Sequence, residues 1–384
     1  MKQTPQTFDL VILGGGCAGL SLAARLAVAE SPLRVALVEA RDHYTEDRTW
    51  CGWRLQPHFF NDCRVAEWNR WYLSEGGRIL ERSSQSYPYE MLNALMVYNK
   101  ALDAITRSRN ISLHLAVRAE HVRENAHNVE IELATGQFLE ARWVVDTRPV
   151  RAEVRTPWLW QSFVGIVAQL EGQEVALERS QPMLMDFQSG TPGLVDFMYI
   201  LPMGSRRYLC EYTRFAPEKA TPFDLENRLG QWLTQHAAGG WRGLRRESGD
   251  LPMAKVQPPN TGRVVHAGAS GGSLRLATGY AFHNIQRWAD ECTTELLHNR
   301  KPVGPRRNGV LDWMDELFLR VLQRKDVVPA HLMRALFAES DSDSLVRFLS
   351  GQPRLTDYWP VVKGLPWNKF IGTAARNFAG LRSA

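Results

Sequence analysis

Apolar and polar positions along this chain switch between two periods, and the switches divide it. Phe8 to Leu13 is apolar apart from Asp9, which predicts a buried strand. A turn from Gly14 to Gly19 opens a helix through Leu20 to Leu26, and Arg34 to Val38 predicts a second strand ending on Glu39. Arg41 to Pro57 reads as loop. Met91 to Arg109 places Leu92, Leu95, Met96, Tyr98, Ala101, Leu102 and Ile105 roughly on one side of a helix. Three short strands follow at 111–115, 129–133 and 138–142, forming a small meander, the middle one alternating strictly. Trp143 to Asp146 is an apolar run ending in an acid, as a buried parallel strand would be.

Residues 156–254 change character. Alternating segments at 163–170, 182–187, 197–201 and 207–214 predict strands, with a turn at Pro202 to Ser205 and a helix near 225–235. Arg263 to Gly268 returns to the buried-strand pattern and runs into small residues, Ala269 to Gly272. A long helix follows from about Phe282 to His298. Beyond Pro302, Leu311, Met314, Leu317, Phe318, Val321 and Leu322 recur at helical spacing, a shorter helix is expected around 345–349, and the remainder is rich in Pro and Trp. These stripes are read as core, with membrane contact the other option. The expected fold is α/β: a Rossmann-like dinucleotide-binding domain (1–155 and 255–300), an inserted antiparallel-sheet substrate domain (156–254), and a helical C-terminal region (301–384).

The opening turn carries the first chemistry. Gly14, Gly16 and Gly19 fit GxGxxG between a strand and a helix, and Glu39 stands twenty residues beyond the last glycine. Small residues let the backbone approach a pyrophosphate. The helix N-terminus offers free N–H groups, and the carboxylate can accept from a ribose. The position of the unit at the start of the chain favours FAD over NAD. Gly268, Gly271 and Gly272 predict a second backbone cradle at the other end of such a ligand.

Composition narrows the class. A net charge of +5 over 384 residues is too small and dispersed to argue for nucleic acid, though it suits loose contact with anionic lipid. Thirteen Trp and fifteen Phe are enough to line an apolar tunnel or face a bilayer as well as fill a core. Five cysteines without a CxxC pair or metal-ligand spacing read as reduced thiols, and no metal site is expected. Met1 to Pro5 runs into the first strand without a signal-peptide pattern, and no stretch reaches the 18 or more apolar residues of a membrane span.

In the segment Tyr208 to Thr213, alternation puts Leu209, Glu211 and Thr213 on one face and Tyr208, Cys210 and Tyr212 on the other. From the residues alone, Glu211 is either an exposed or Arg-paired acid or a lone carboxyl among small and apolar neighbours. Asp186 is either a sheet-edge or turn residue or a second acid/base. A resemblance bears on both. Arg48-Thr49-Trp50, Met185-Asp186, Tyr199 to Met203, Leu209 to Thr213, Leu251-Pro252-Met253 and Gly268 to Tyr280 resemble, in order and spacing, segments of the bacterial FAD-dependent lycopene β-cyclases. Two departures stand out. Tyr212 occupies the place of the second acid of a Glu-Glu pair, and Arg275-Leu276 the place of a His-Pro.

The resemblance implies a redox-neutral, acid-catalysed cyclisation of the ψ ends of lycopene to β-ionone rings, giving γ- and β-carotene. It implies Glu211 as the acid, Asp186 as a second acid/base, and FAD active in its reduced form with NAD(P)H as electron source. An alkene is a very weak base, so the acid must be kept neutral at pH 7 by burial or a nearby negative charge. A reduced, anionic flavin would supply such a charge. The expected setting is cytoplasmic, peripheral to the cytoplasmic membrane, where a lipophilic polyene is met. The alternatives are a flavin monooxygenase or prenyl reductase acting on a lipophilic substrate, or a non-catalytic isoprenoid binder. Asp146-Thr147, where aromatic hydroxylases commonly show Asp-Gly, counts against the monooxygenase.

Overall fold

The structure, a computed structural model, describes residues 5–149, 158–171, 180–237, 239–255 and 262–381. The expected domain boundary at 155/156 and the first four residues lie outside these. The chain opens with β1 (Gln6–Leu13), α1 (Cys17–Val28) and β2 (Val35–Val38). It then forms β3 (Thr49–Trp53), β4 (Arg64–Trp68), a hairpin of β5 (Arg70–Glu75) and β6 (Arg78–Ser83), and β7 (Tyr89–Asn93). Helix α2 (Ala94–Arg107) leads to β8 (Ile111–His114), followed by β9 (Ala119–Glu124), β10 (Val129–Leu133) and β11 (Phe138–Asp146). The middle of the chain gives β12 (Leu159–Leu170), β13 (Met183–Phe187), β14 (Val195–Pro202), β15 (Arg207–Ala216), α3 (Pro222–His236) and β16 (Trp241–Met253). After β17 (Val264–His266) come α4 (Phe282–Leu297), α5 (Gly309–Leu322), α6 (Pro329–Glu339), α7 (Ser342–Leu349), α8 (Tyr358–Val362) and α9 (Trp367–Leu381).

The first sheet runs β8-β2-β1-β11-β10-β9, with β17 beside β11. Strand β1 is parallel to β2 and β11, and both its faces are covered. Leu10 and Ile12 pack with α1, α2 and α4, while Val11 and Leu13 pack under the β9–β11 meander. Two-sided burial is why its sequence is a nearly unbroken apolar run. The fold class is therefore the expected α/β one. Two details differ. The segments 138–142 and 143–146 are one strand, whose first half pairs antiparallel with β10 and whose second half pairs parallel with β17. The meander uses 119–124 instead of 111–115, because Ile111 to His114 is delivered by α2 to a parallel edge beside β2. The predicted helix at 91–109 begins only at Ala94. Tyr89 to Asn93 is held as a strand between β3 and β4, and the Asn93 side chain caps the helix by accepting from Met96 N.

The second sheet runs β16-β12-β15-β14-β13-β5-β6 and is antiparallel except for β13 with β5. It is not confined to 156–254, since the hairpin from residues 70–83 completes one edge. Alternation sorts its two faces. Val164, Ile166, Met198, Tyr212, Leu225 and Leu229 bury the α3 side. Leu201, Leu209 and Val167 face the other way, toward Leu336, Phe337 and Leu349 of the C-terminal helices. The C-terminal part holds more helix than expected, since the Pro- and Trp-rich end forms α8 and α9. Among the described residues no helix is long and apolar enough to cross a membrane.

Candidate active site

A cavity of ≈ 1730 Å³ runs from the glycine turn after β1 to the C-terminal helices, passing over the face of the second sheet that carries Glu211. Such a volume exceeds what one small ligand needs, roughly 300–1,000 Å³.

At one end of the cavity lies the glycine turn that follows β1. Gly14 has φ +94°, a conformation that a side chain would strain, and Thr147 Oγ1 locks it by donating to the Gly14 carbonyl at 2.9 Å. A Cβ on Gly19 would be driven into that same carbonyl, so Gly19 sets how closely α1 meets β1. A Cβ on Gly16 would meet nothing within 4 Å, and no side chain caps the N-terminus of α1 there. Its N–H groups are left to the cavity. Glu39, buried at the tip of β2, accepts from Gly15 N at 2.5 Å and from Arg41 N at 2.8 Å. A carboxylate keeps acceptor capacity beyond those two bonds.

Gly268 approaches from the end of β17. A Cβ there would lie 3.2 Å from Ala18 Cβ, so the second small-residue turn closes directly on the first. Gly14, Gly16, Glu39 and Gly268 line the cavity. Gly271 and Gly272 do not. A Cβ on Gly271 would strike the His266 backbone, Gly272 sits beside Arg307, and the lining positions of that turn are Ala269 and Ser270. An uncapped helix end, an open glycine and an acid at the second strand tip fit the adenosine diphosphate half of FAD.

At mid-cavity, Glu211 lies in β15 opposite Tyr199 of β14 on one side and Gly165 of β12 on the other. The face assignment read from alternation holds: Leu209, Glu211, Thr213 and Phe215 line the cavity, while Tyr212 is buried under α3 near Asp196. Loss of an acid at position 212 thus leaves the cavity face untouched. Burial raises the Glu211 carboxyl and the charge of Glu247 adds to the rise. The Thr213 hydroxyl, donating at 2.6 Å, opposes it, and the result is pushed up to about 8. Among the described residues no Lys, Arg or His lies within ion-pair reach of Glu211.

Asp186 is not brought to this place. It bonds to Gln188 at 3.0 Å, and a bulge in β13 turns Leu184 and Met185 to the cavity instead. The second carboxyl there is Glu247 of β16, which the sequence reading missed. Its signal was present: Arg245, Glu247, Gly249 and Leu251 alternate with exposed residues, but charged residues on the covered face disguised the strand. Gly165 registers with Glu211 on one side and Glu247 on the other. Glu247 accepts from Arg245 at 2.7 Å and from Thr49 Oγ1 at 3.2 Å. Burial raises its carboxyl, and Arg245 and Thr49 oppose the rise.

Aromatic rings wall the same space. Tyr89 Oη lies 2.7 Å from Tyr199 Oη and 3.2 Å from Tyr280 Oη, and the Trp53 ring packs edge-on against Tyr89 and Tyr280. Behind this wall, His58, Glu90 and His283 bring potential ligand atoms within 4.8 Å of one another. The Phe60 N–H donates to His58 Nδ1, which leaves the proton on Nε2 pointing at Glu90, and Arg54 also pairs with Glu90 at 3.0 Å. This is a hydrogen-bonded network around a carboxylate. Burial raises Glu90, but bonds from His283 and His58 outweigh it and bring it to about 2. The departure at 275–276 has a structural role. Arg275 pairs with Asp315 of α5 at 2.7 and 2.8 Å and donates to the Phe348 carbonyl, while Leu276 is buried, so the loop is bolted to the C-terminal helices. Met314 and Phe318, expected as core, line the cavity.

The family profile described as lycopene cyclase protein matches residues 9–373. The chain belongs to the lycopene cyclase family. It is 24% identical to the lycopene beta-cyclase of Pantoea ananas across 94% of this chain and 95% of that one. It is 26% identical to the lycopene beta-cyclase of Pseudescherichia vulneris across 82% of each. Its fold is similar to that of a flavin-dependent monooxygenase, PieE, solved with FAD and substrate (TM-score 0.61, 12% identity, 90% and 71% covered). It is also similar to a geranylgeranyl bacteriochlorophyll reductase-like protein of Thermoplasma acidophilum (TM-score 0.59, 13% identity, 97% and 96% covered).

Proposed function

We propose that this member of the lycopene cyclase family is an FAD-dependent lycopene β-cyclase, an intramolecular lyase that closes the ψ ends of lycopene into β-ionone rings without net redox change. The reading rests on one observation above all: a buried carboxyl, Glu211, in mid-strand on the wall of an aromatic-lined cavity that runs on to the glycine turn after β1, with no cation in ion-pair reach among the described residues. Glu211 would hold its proton at the terminal alkene of the bound end. The rings of Tyr199 and Tyr280 would face the tertiary cation that results, and cation–π attraction would be worth ~2 kcal/mol in a desolvated site. Gly14, Gly16, the α1 N-terminus, Glu39 and Gly268 would hold the dinucleotide. FAD, when bound and reduced, would supply negative charge to the site. NAD(P)H would serve only to reduce it.

The substrate is lipophilic, and the far end of the cavity suits a membrane source. Trp313 and Trp367 line the cavity while remaining 48% and 45% exposed, and Trp359 stacks on Trp367 at 6.2 Å. Leu355 and Ile371 are exposed nearby in sequence, with Lys363. Exposed Trp with apolar neighbours and a cation is the composition of a bilayer-surface contact. Peripheral attachment at the cytoplasmic membrane is therefore part of the proposal. The test is anaerobic incubation of the protein with FAD, reductant and lycopene in liposomes, with products separated by HPLC. Appearance of γ- or β-carotene without stoichiometric loss of NAD(P)H is expected. Stoichiometric NAD(P)H consumption with an oxidised or hydrogenated product would instead favour the monooxygenase or reductase.

A further inference from the structure

We infer that Glu247 is the general base of this reaction, paired with Glu211 so that one carboxyl gives a proton to the closing ring and the other takes one from it. The inference rests on the lycopene reading above.

The geometry is that of two carboxyls sharing one gap. They lie on β15 and β16, either side of β12, and both register with Gly165. A Cβ at Gly165 would come 3.1 Å from Glu247 Cγ and 3.6 Å from Glu211 Cβ. Any side chain there would fill the space between them, so the missing side chain keeps the two in mutual view across the cavity floor. Their surroundings differ in the way an acid and a base require. Glu211 accepts from the Thr213 hydroxyl, stands opposite Tyr199 in the ladder and, among the described residues, meets no cation. Glu247 is fixed by Arg245 and by Thr49, which itself accepts from Arg245. That arrangement orients a carboxylate and stabilises its charge.

The chemistry needs such a pair. The Glu211 O–H proton goes to C2, leaving the cation on C1. The C5=C6 electron pair forms the C1–C6 bond and the cation moves to C5. The Glu247 carboxylate then removes the C6 proton, and that C–H pair becomes the ring C5=C6 bond. One proton has passed from Glu211 to Glu247, nothing has been oxidised or reduced, and its return across Gly165 resets the site. C2 and C6 are both bonded to C1 in the new ring, so acid and base must converge on one ring, as two carboxyls flanking a single strand do.

Other groups facing the pair are Arg245, Glu46 behind Arg245 at 3.6 Å, Cys51 of β3, and Tyr89, Tyr199 and Tyr280. Burial raises the thiol and the phenols, which stay neutral over the working range. Glu46 lies behind Arg245, so Glu211 and Glu247 are the two carboxyls that face the gap and shape the pH dependence of the step.

The test compares wild type, Glu247→Gln and Glu247→Asp, each loaded with FAD. Wild-type kcat should follow a bell, its alkaline limb from Glu211 and its acid limb from Glu247. Glu247→Gln should lose about 100-fold or more in kcat, lack the acid limb, and still bind FAD. Glu247→Asp should restore part of the rate together with the limb. Independently of any substrate, infrared titration of the protonated carboxyl should show the Glu211 midpoint falling in Glu247→Gln, because a neighbouring negative charge has gone. A Glu247→Gln protein that keeps kcat within twofold, or loses rate with the acid limb intact, overturns the base assignment. An unmoved Glu211 midpoint overturns the pairing. A wild type that binds FAD and shows the coupled titration but leaves lycopene unchanged removes the substrate reading, and with it this role, while the carboxyl pair stands.

Discussion

Among the described residues both large sheets have seven strands, and they build their parts of the site in opposite ways. In the first sheet the groups proposed to hold the dinucleotide stand at strand ends and are mostly backbone: the α1 N-terminus, the turn at Gly14 and Gly16, and Gly268. In the second sheet they stand in mid-strand and are side chains: Tyr199, Glu211 and Glu247 on three different strands. The first arrangement makes a surface for a ligand whose charge is met by N–H groups. The second buries titratable groups against one another and shifts them. Backbone chemistry at a turn is local, while side-chain chemistry across strands exists only after folding.

Each half can be broken separately. The largest effect is expected from Glu211→Gln, which should lower turnover at least about 10³-fold while leaving FAD binding within a factor of a few, measured by flavin fluorescence beside the HPLC assay. Next, Arg275→Ala strips the buried Asp315 of its partner and frees the loop from α5 and α7. A loss of about 3–5 kcal/mol in denaturant unfolding is expected. Third, Gly19→Ala forces α1 away from the Gly14 carbonyl. FAD affinity should fall by about 10- to 100-fold while the unbound protein keeps its infrared carboxyl titration.

The smallest effect concerns stability and pH. Burial and Glu247 raise the folded carboxyl of Glu211 to about 8, above its unfolded value. Its contribution is therefore fully present below the unfolded value and is lost as pH rises through the folded one. Glu211→Gln should accordingly gain stability relative to wild type between pH 5 and 9. A gain on the order of 1–3 kcal/mol is expected, reduced because water reaches the open cavity.

The same contrast explains what could be read in advance. Gly14, Gly16, Gly19 and Glu39 fall within one βαβ unit, and their spacing alone points to a dinucleotide. Glu211 could be placed on a face because β15 alternates cleanly, but nothing local said that the face was a cavity. That followed only from the resemblance. Glu247 was overlooked because Arg242, Arg245 and Arg246 disguised the alternation of its strand, and its partner Glu211 is 36 positions away in sequence. Asp186 was singled out by the resemblance alone, and its strand, β13, is bulged where it pairs with β14 and with β5, so that Leu184 and Met185 line the cavity in its place. Arg275 looked like a defect in a motif until Asp315 appeared beside it.

Everything proposed for the second sheet depends on Glu211 being a neutral acid in the resting protein, and its protonation can be measured directly. Infrared difference spectra of wild type minus Glu211→Gln, recorded from pH 5 to 10, isolate its carboxyl stretch. A protonated carboxyl is expected at pH 7, ionising with a midpoint near 8. A carboxylate already ionised at pH 7, with a midpoint in the ordinary range for Glu, would contradict it.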